Sequence, residues 1–183
     1  MRRPDGTVRK RRKSSDIPGQ AHELSFTCYG NLPMLGRNRT RQWLLQSLDQ
    51  ARRRWDLELW AYVTMPEHVH LLLLPRRDDY HIRLILKAIK QPVAQRAVKY
   101  LKEHAPTWLD RLKVTRPSGR TEYRFWQQGG GYDRDIVSPT AAWASVAYIH
   151  NNPVRRGLVN APTDWAWSSA KEYAGIDGAL LRG

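Results

Sequence analysis

Two histidines with one residue between them, His68 and His70, stand in the run Tyr62-Val63-Thr64-Met65-Pro66-Glu67-His68-Val69-His70-Leu71-Leu72-Leu73-Leu74. In an extended segment residues i and i+2 point the same way with Cα atoms roughly 6.5–7 Å apart, so both imidazoles can converge on one cation. Neutral imidazole is a common metal ligand, and its two nitrogens can be shared between a metal and an orienting partner. Two ligands do not complete a site. Farther along, Tyr148 and Asn152 in Tyr148-Ile149-His150-Asn151-Asn152-Pro153 lie four residues apart and share one face of a helix. An Asn152 oxygen is a candidate third ligand, and Tyr148 stands one turn away. A phenol beside a metal-bound phosphate is a candidate covalent nucleophile; its free pKa of about 10 makes it poor at neutral pH unless a cation polarises the phosphoryl oxygen.

The elements that must position these groups follow from periodicity. His22 to Tyr29 alternates polar and apolar residues as a half-buried strand, and Arg39 to Arg54 repeats Trp43, Leu44, Leu45, Leu48 and Ala51 at helical spacing. Leu57 to Met65 and His68 to Leu74 pair as an antiparallel hairpin, with the histidines opening its second strand. His81 to His104 reads as a second helix, kinked or broken at Pro92. Residues 105–121 read as loop, and Glu122 to Gln128 as a strand ended by Gly129-Gly130-Gly131. Ser138-Pro139 then starts a helix running to the Asn152-Pro153 boundary. The order β-α-β-β-α-β predicts an α+β, ferredoxin-like sandwich with a mostly antiparallel sheet, plus an additional C-terminal helix carrying the tyrosine.

Composition bounds the partners. The chain has 183 residues and a formal net charge of +14, and a surface this basic attracts polyanions, nucleic acid first among them. Residues 1–13 contribute +6 of that charge, and residues 1–20 carry too few apolar groups to offset the entropy of ordering, so they are expected to form a mobile basic arm. No run reaches the ~18 apolar residues of a membrane span, and a cytoplasmic address is expected, on the nucleoid when DNA is bound. The single cysteine, Cys28, permits no intrachain disulfide and reads as a buried small hydrophobe.

Met65-Pro66-Glu67-His68-Val69-His70-Leu71-Leu72 together with Tyr148-Ile149-His150-Asn151-Asn152-Pro153-Val154-Arg155-Arg156-Gly157-Leu158-Val159 resembles the REP-associated tyrosine transposases of the single-tyrosine HUH superfamily. The resemblance spans roughly residues 21–175, taking in Phe125-Trp126-Gln127-Gln128, Tyr132-Asp133 and Trp167-Ser168-Ser169, and leaves the arm and a tail at 176–183 outside. It implies cleavage and rejoining of single-stranded DNA near a hairpin through a 5′-phosphotyrosyl intermediate. His68, His70 and Asn152 would be metal ligands and Tyr148 the nucleophile, with Mg²⁺ or Mn²⁺ as the cation. Imidazole ligands by themselves would equally suit zinc. Glu67 departs from the asparagine more usual in the family, and either joins the metal shell or closes the turn. The alternative is a DNA-hairpin-binding protein that keeps the fold without turnover.

Arg37, Arg39, Arg41, Lys90, Arg155 and Arg156 are candidate phosphate contacts, which position DNA without reading its sequence. One or two of the eight tryptophans are candidates to stack on unpaired bases. His150, two residues from Tyr148, is expected on another, exposed face. Asp133 reads as a structural or capping acid, and Tyr132 and Tyr173 stay open as further tyrosines of interest. The sequence leaves monomer and homodimer open.

Overall fold

The computed structural model describes residues 16–176. Residues 1–15 of the expected arm, and 177–183 of the tail, lie outside the described residues.

A four-stranded antiparallel sheet in the order Leu57–Thr64, His68–Pro75, Ala21–Thr27, Tyr132–Ile136 forms the frame. Strand β1 (Ala21–Thr27) leads to helix α1 (Asn38–Trp55), and Asp56, in the left-handed conformation at φ 52°, turns the chain straight into β2 (Leu57–Thr64). Such a φ is tolerated by Asp because its short polar side chain bonds locally. Strand β3 (His68–Pro75) returns beside β2, with the Met65 amide donating to the His68 carbonyl at 2.8 Å to close the turn. Helix α2 (Ile82–His104) follows, then α3 (Pro106–Asp110), the small hairpin β4 (Lys113–Thr115) and β5 (Thr121–Tyr123), edge strand β6 (Tyr132–Ile136), α4 (Pro139–Arg155) and α5 (Ala170–Tyr173). This is the ferredoxin-like sandwich expected, with the extra helix on the sheet's second face.

Strand alternation divides the core in two. Leu24, Phe26, Val69, Leu71 and Leu73 face α1 and α2, meeting Leu44, Leu48, Ile85, Ile89 and Val93. Ala61, Val63, Leu72 and Ile136 face the other way and are covered by Val146 and Ile149 of α4. His68 and His70, in phase with Leu72, therefore point toward α4.

Four expectations are corrected. The fourth strand is Tyr132–Ile136, after the glycines, and not Glu122 to Gln128. The aromatic run there belongs to a crossing segment: Phe125 and Trp126 plug the α1/α2 core, and Trp126 Nε1 donates to the Lys90 carbonyl at 2.8 Å. Gly131, at φ 81°, lets β6 begin tight against β1, where a Cβ would collide with the Ser25 carbonyl oxygen. Residues 105–121 hold α3 and β4 within what reads as loop. Pro92 does not break α2, and α4 passes Asn152-Pro153 and ends at Arg155.

The ends of the described chain are fastened to this frame. Asp16 accepts from the Ile82 amide at 3.0 Å and pairs with His81 at 2.9 Å, capping α2 from outside its own sequence. Near the other end, the Thr64 amide donates to the Trp167 carbonyl and the Ser169 amide to the Tyr62 carbonyl, so residues 167–169 cover the free edge of β2.

Candidate active site

The site grows from the register of β3 and α4. Opposite His70 on β1 is Ser25 and opposite His68 is Thr27, small residues that leave room above the sheet on the α4 side. Helix α4 starts at Ser138, whose hydroxyl accepts from the Ala141 amide at 3.2 Å. It is keyed to the sheet by a polar cluster in which Glu23 and Ser145 are buried. Ser145 Oγ donates to Glu23 Oε2 at 2.8 Å, and Arg134 Nη2 donates to the same oxygen at 2.6 Å. Tyr148 and Asn152 follow Ser145 by one and two turns on the same stripe, so this contact between β1, β6 and α4 sets where they land. Sequence reasoning missed Glu23, Arg134 and Ser145; the i−3 spacing of Ser145 from Tyr148 was the available signal.

The four candidate residues meet. The His68 and His70 rings lie 4.9 Å apart edge to face, and His70 and Tyr148 5.5 Å apart at 88°. The Asn152 side-chain amide nitrogen is 3.2 Å from His70 Nε2. His70 and Asn152 are buried, whereas Tyr148 is 41% exposed. A cleft of about 500 Å³ opens beside them, lined by Glu23, Ser25, His70, Tyr132, Arg134 and Tyr148 among others. Tyr132 thus borders the same space. Tyr173 does not: its hydroxyl donates to the Trp60 carbonyl at 2.7 Å and its ring packs on His150.

The donor set fits a cation. Burial, and then the neighbouring His68, holds the His70 pKa down to about 4, so at neutral pH the ring is uncharged with a lone pair to give. Its Nδ1 is buried without a partner. Turning the Asn152 amide over would set an oxygen beside His70 Nε2, two acceptors that only a cation or a proton would reconcile. His68 Nδ1 faces Glu67 Oε1 at 3.1 Å, which directs its other nitrogen away from that carboxylate.

A second group lies across the sheet. His22, fully buried, sets Nδ1 at 3.1 Å from Asp133 Oδ1 and 3.4 Å from Asp135 Oδ1, and Nε2 at 2.8 Å from the Tyr80 hydroxyl. Among the described residues it is the group of His, Cys, Asp and Glu donors close enough together to hold a metal. It ties β1 to β6 on the α2 side, remote from Tyr148.

The remaining predictions divide. His150 is buried, not exposed: Nε2 is 2.8 Å from Ser169 Oγ, and the C-terminal segment covers that face of α4. Arg41 is also buried, its guanidinium 5.0 Å from the Trp165 ring and 5.3 Å from that of Trp167, so it is not a free phosphate contact. Lys90 stands on α2, 5.4 Å from the Phe26 ring and on the opposite face of the sheet from the histidines. Burial lowers its pKa, and Nζ donates to the Gly129 carbonyl at 3.3 Å. Arg37, Arg39, Arg155 and Arg156 are exposed. Arg39 lies 3.5 Å over the Tyr100 ring and Arg155 5.1 Å over that of Tyr148.

No family model matches the chain. Among curated proteins it is 27% identical over 142 residues to one from Haemophilus influenzae named "Putative REP-associated tyrosine transposase", covering 73% of this chain and 74% of that protein. Among solved structures it superposes with a TM-score of 0.65 on a REP-associated tyrosine transposase bound to a REP hairpin, at 21% identity, over 97% of this chain and 92% of that one. The chain resembles the REP-associated tyrosine transposases. The likeness in fold to this transposase extends well beyond the motif segments. No described helix is long and apolar enough to cross a membrane.

Proposed function

We propose that this chain is a metal-dependent transposase or endonuclease that cleaves and rejoins single-stranded DNA near hairpins, with Tyr148 as nucleophile and His68, His70 and Asn152 as metal ligands. The observation that carries the reading is the meeting of His70, Tyr148 and Asn152 from a strand and a helix far apart in sequence. The net charge of +14 and the similarity to transposases, one of them solved with a REP hairpin, support DNA as substrate. Residues 21–175 form the catalytic domain in this reading, between a basic arm and a short tail.

A divalent ion, Mg²⁺ or Mn²⁺, would supply polarisation of the scissile phosphate and neutralise charge as it develops. The chain does the rest. Tyr148 Oη forms a bond to phosphorus as the bond from phosphorus to the 3′ oxygen breaks; the leaving oxygen takes a proton to become a 3′-hydroxyl, and the phenol proton passes to solvent. The exposed Tyr148 reaches a strand lying in the cleft, while Arg155 above its ring is placed to hold backbone phosphate. Stored as a tyrosyl ester, the phosphodiester can be re-formed by a 3′-hydroxyl without an outside energy source, which suits strand transfer better than hydrolysis.

An end-labelled hairpin oligonucleotide incubated with Mn²⁺ tests this. The expected result is a covalent adduct on the fragment downstream of the nick, absent for Tyr148→Phe and strongly reduced for His68→Ala. Hairpin affinity without adduct under several divalent ions would replace the enzyme by a binding protein of the same fold.

A further inference from the structure

Glu67 occupies the turn between β2 and β3, one residue before the first histidine, and one of its oxygens makes two contacts. Oε1 is 3.1 Å from His68 Nδ1 and 2.8 Å from Arg156 Nη1. Its carbonyl accepts from the Cys28 amide at 2.7 Å, so the turn is fixed to the end of β1 and the carboxylate is largely buried, its side chain 15% exposed. Arg156 caps α4, its amide donating to the carbonyl of Asn152. A single carboxylate oxygen therefore joins the strand that carries the histidines to the last turn of the helix that carries Tyr148 and Asn152.

Resting on the functional reading above, we propose that Glu67 is a positioning residue: it fixes His68 with Nδ1 protonated and Nε2 open to the cation, and through Arg156 it holds the tyrosine helix in register with the histidine strand. The chemistry supports anchoring over ligation. An acceptor at Nδ1 determines the tautomer and ring angle of a ligating imidazole and raises its basicity, and losing such a partner typically costs 10–100-fold in metal affinity. Among the described residues, Glu67, His68 and His70 do not present three mutually close donor atoms, whereas His22, Asp133 and Asp135 do. The carboxylate thus stands behind His68, not beside both rings. Arg156, expected from sequence to grip phosphate, is engaged in the same contact.

Two measurements test this on the full chain. In metal-free protein at mildly alkaline pH, ¹⁵N spectra of the imidazoles should show His68 as the Nδ1–H tautomer, opposite to the preference of free histidine, and Glu67→Ala should shift it toward Nε2–H. Titration with Mn²⁺ alone should show about a tenfold loss of affinity for Glu67→Ala. Glu67→Gln, whose amide oxygen still accepts from Nδ1–H, should stay within about threefold of the parent. Arg156→Ala should weaken binding less than Glu67→Ala and add nothing to it in the double variant, as expected of groups acting through one contact. A His68 already in the Nε2–H form, or Mn²⁺ affinity unchanged in Glu67→Ala, overturns the proposal. A Gln variant as impaired as the Ala variant also overturns it, and makes Glu67 a ligand. A parent chain that binds no Mn²⁺ removes the functional reading, while the tautomer signal still decides the contact between Glu67 and His68.

Discussion

Acid should loosen this fold through His150. The ring is buried on α4, with Nε2 2.8 Å from Ser169 Oγ and the Tyr173 ring 4.9 Å away. The Tyr62 amide donates to the same Oγ at 3.0 Å, and the Tyr62 carbonyl lies 3.4 Å from it as a second acceptor for its proton. Burial lowers the His150 pKa from 6.5 to about 4. Between those values the unfolded chain binds a proton that the native chain refuses. Stability from this group is therefore complete above pH 6.5, falls as pH drops, and levels off near pH 4. At pH 5 the linkage amounts to about 2 kcal/mol, a large share of the ~5–15 kcal/mol that holds a domain together. His150→Gln removes the titration and can still meet Ser169. In chelator, urea unfolding of the parent should lose about 2 kcal/mol more than the Gln variant between pH 8 and pH 5. His70, also held near 4 by burial and then by His68, acts with the same sign in both proteins and cancels. Equal pH dependence in the two would refute the reasoning.

Two other outcomes follow from the geometry. Gly131→Ala asks for a side chain at φ 81° where the Ser25 carbonyl stands, and should cost roughly 2–4 kcal/mol in urea unfolding and detach β6 from β1; a variant as stable as the parent would contradict the close approach of Gly131 to Ser25. In hairpin binding followed across salt concentrations, Arg37→Ala and Arg39→Ala should each reduce the salt slope by about 1. Arg41→Ala should leave the slope unchanged and lower stability by about 1–2 kcal/mol, because its guanidinium is held between two indoles.

What could be read from sequence was local. His68 and His70 need only strand periodicity to share a face, and Tyr148 and Asn152 only helical periodicity, so both halves of the candidate site are legible before any tertiary contact is known. What could not be read depends on partners distant in sequence. The polar strand Tyr132–Ile136 is stabilised by pairing Arg134 with Glu23 and Asp133 with His22, whereas the aromatic run before it, a better strand by composition, supplies plugs for the core. His150 and Arg41 look like surface residues because their covers, Ser169 for one and Trp165 and Trp167 for the other, come from a C-terminal segment with no strong periodicity of its own. Tertiary context overrides propensity at these positions.

The sheet gives its two faces different work. On the α1/α2 side the buried strand positions are mostly apolar, and His22 among them is satisfied by Tyr80 and two aspartates. On the α4 side the apolar residues retreat to one end, Ala61, Val63 and Leu72 under Val146 and Ile149, and the histidines, Glu23 and Asn152 are left to find polar partners across the interface. Those partners are Ser145 for Glu23, Asn152 for His70 and Arg156 for Glu67. The packing that closes the second core also sets Tyr148 beside His70.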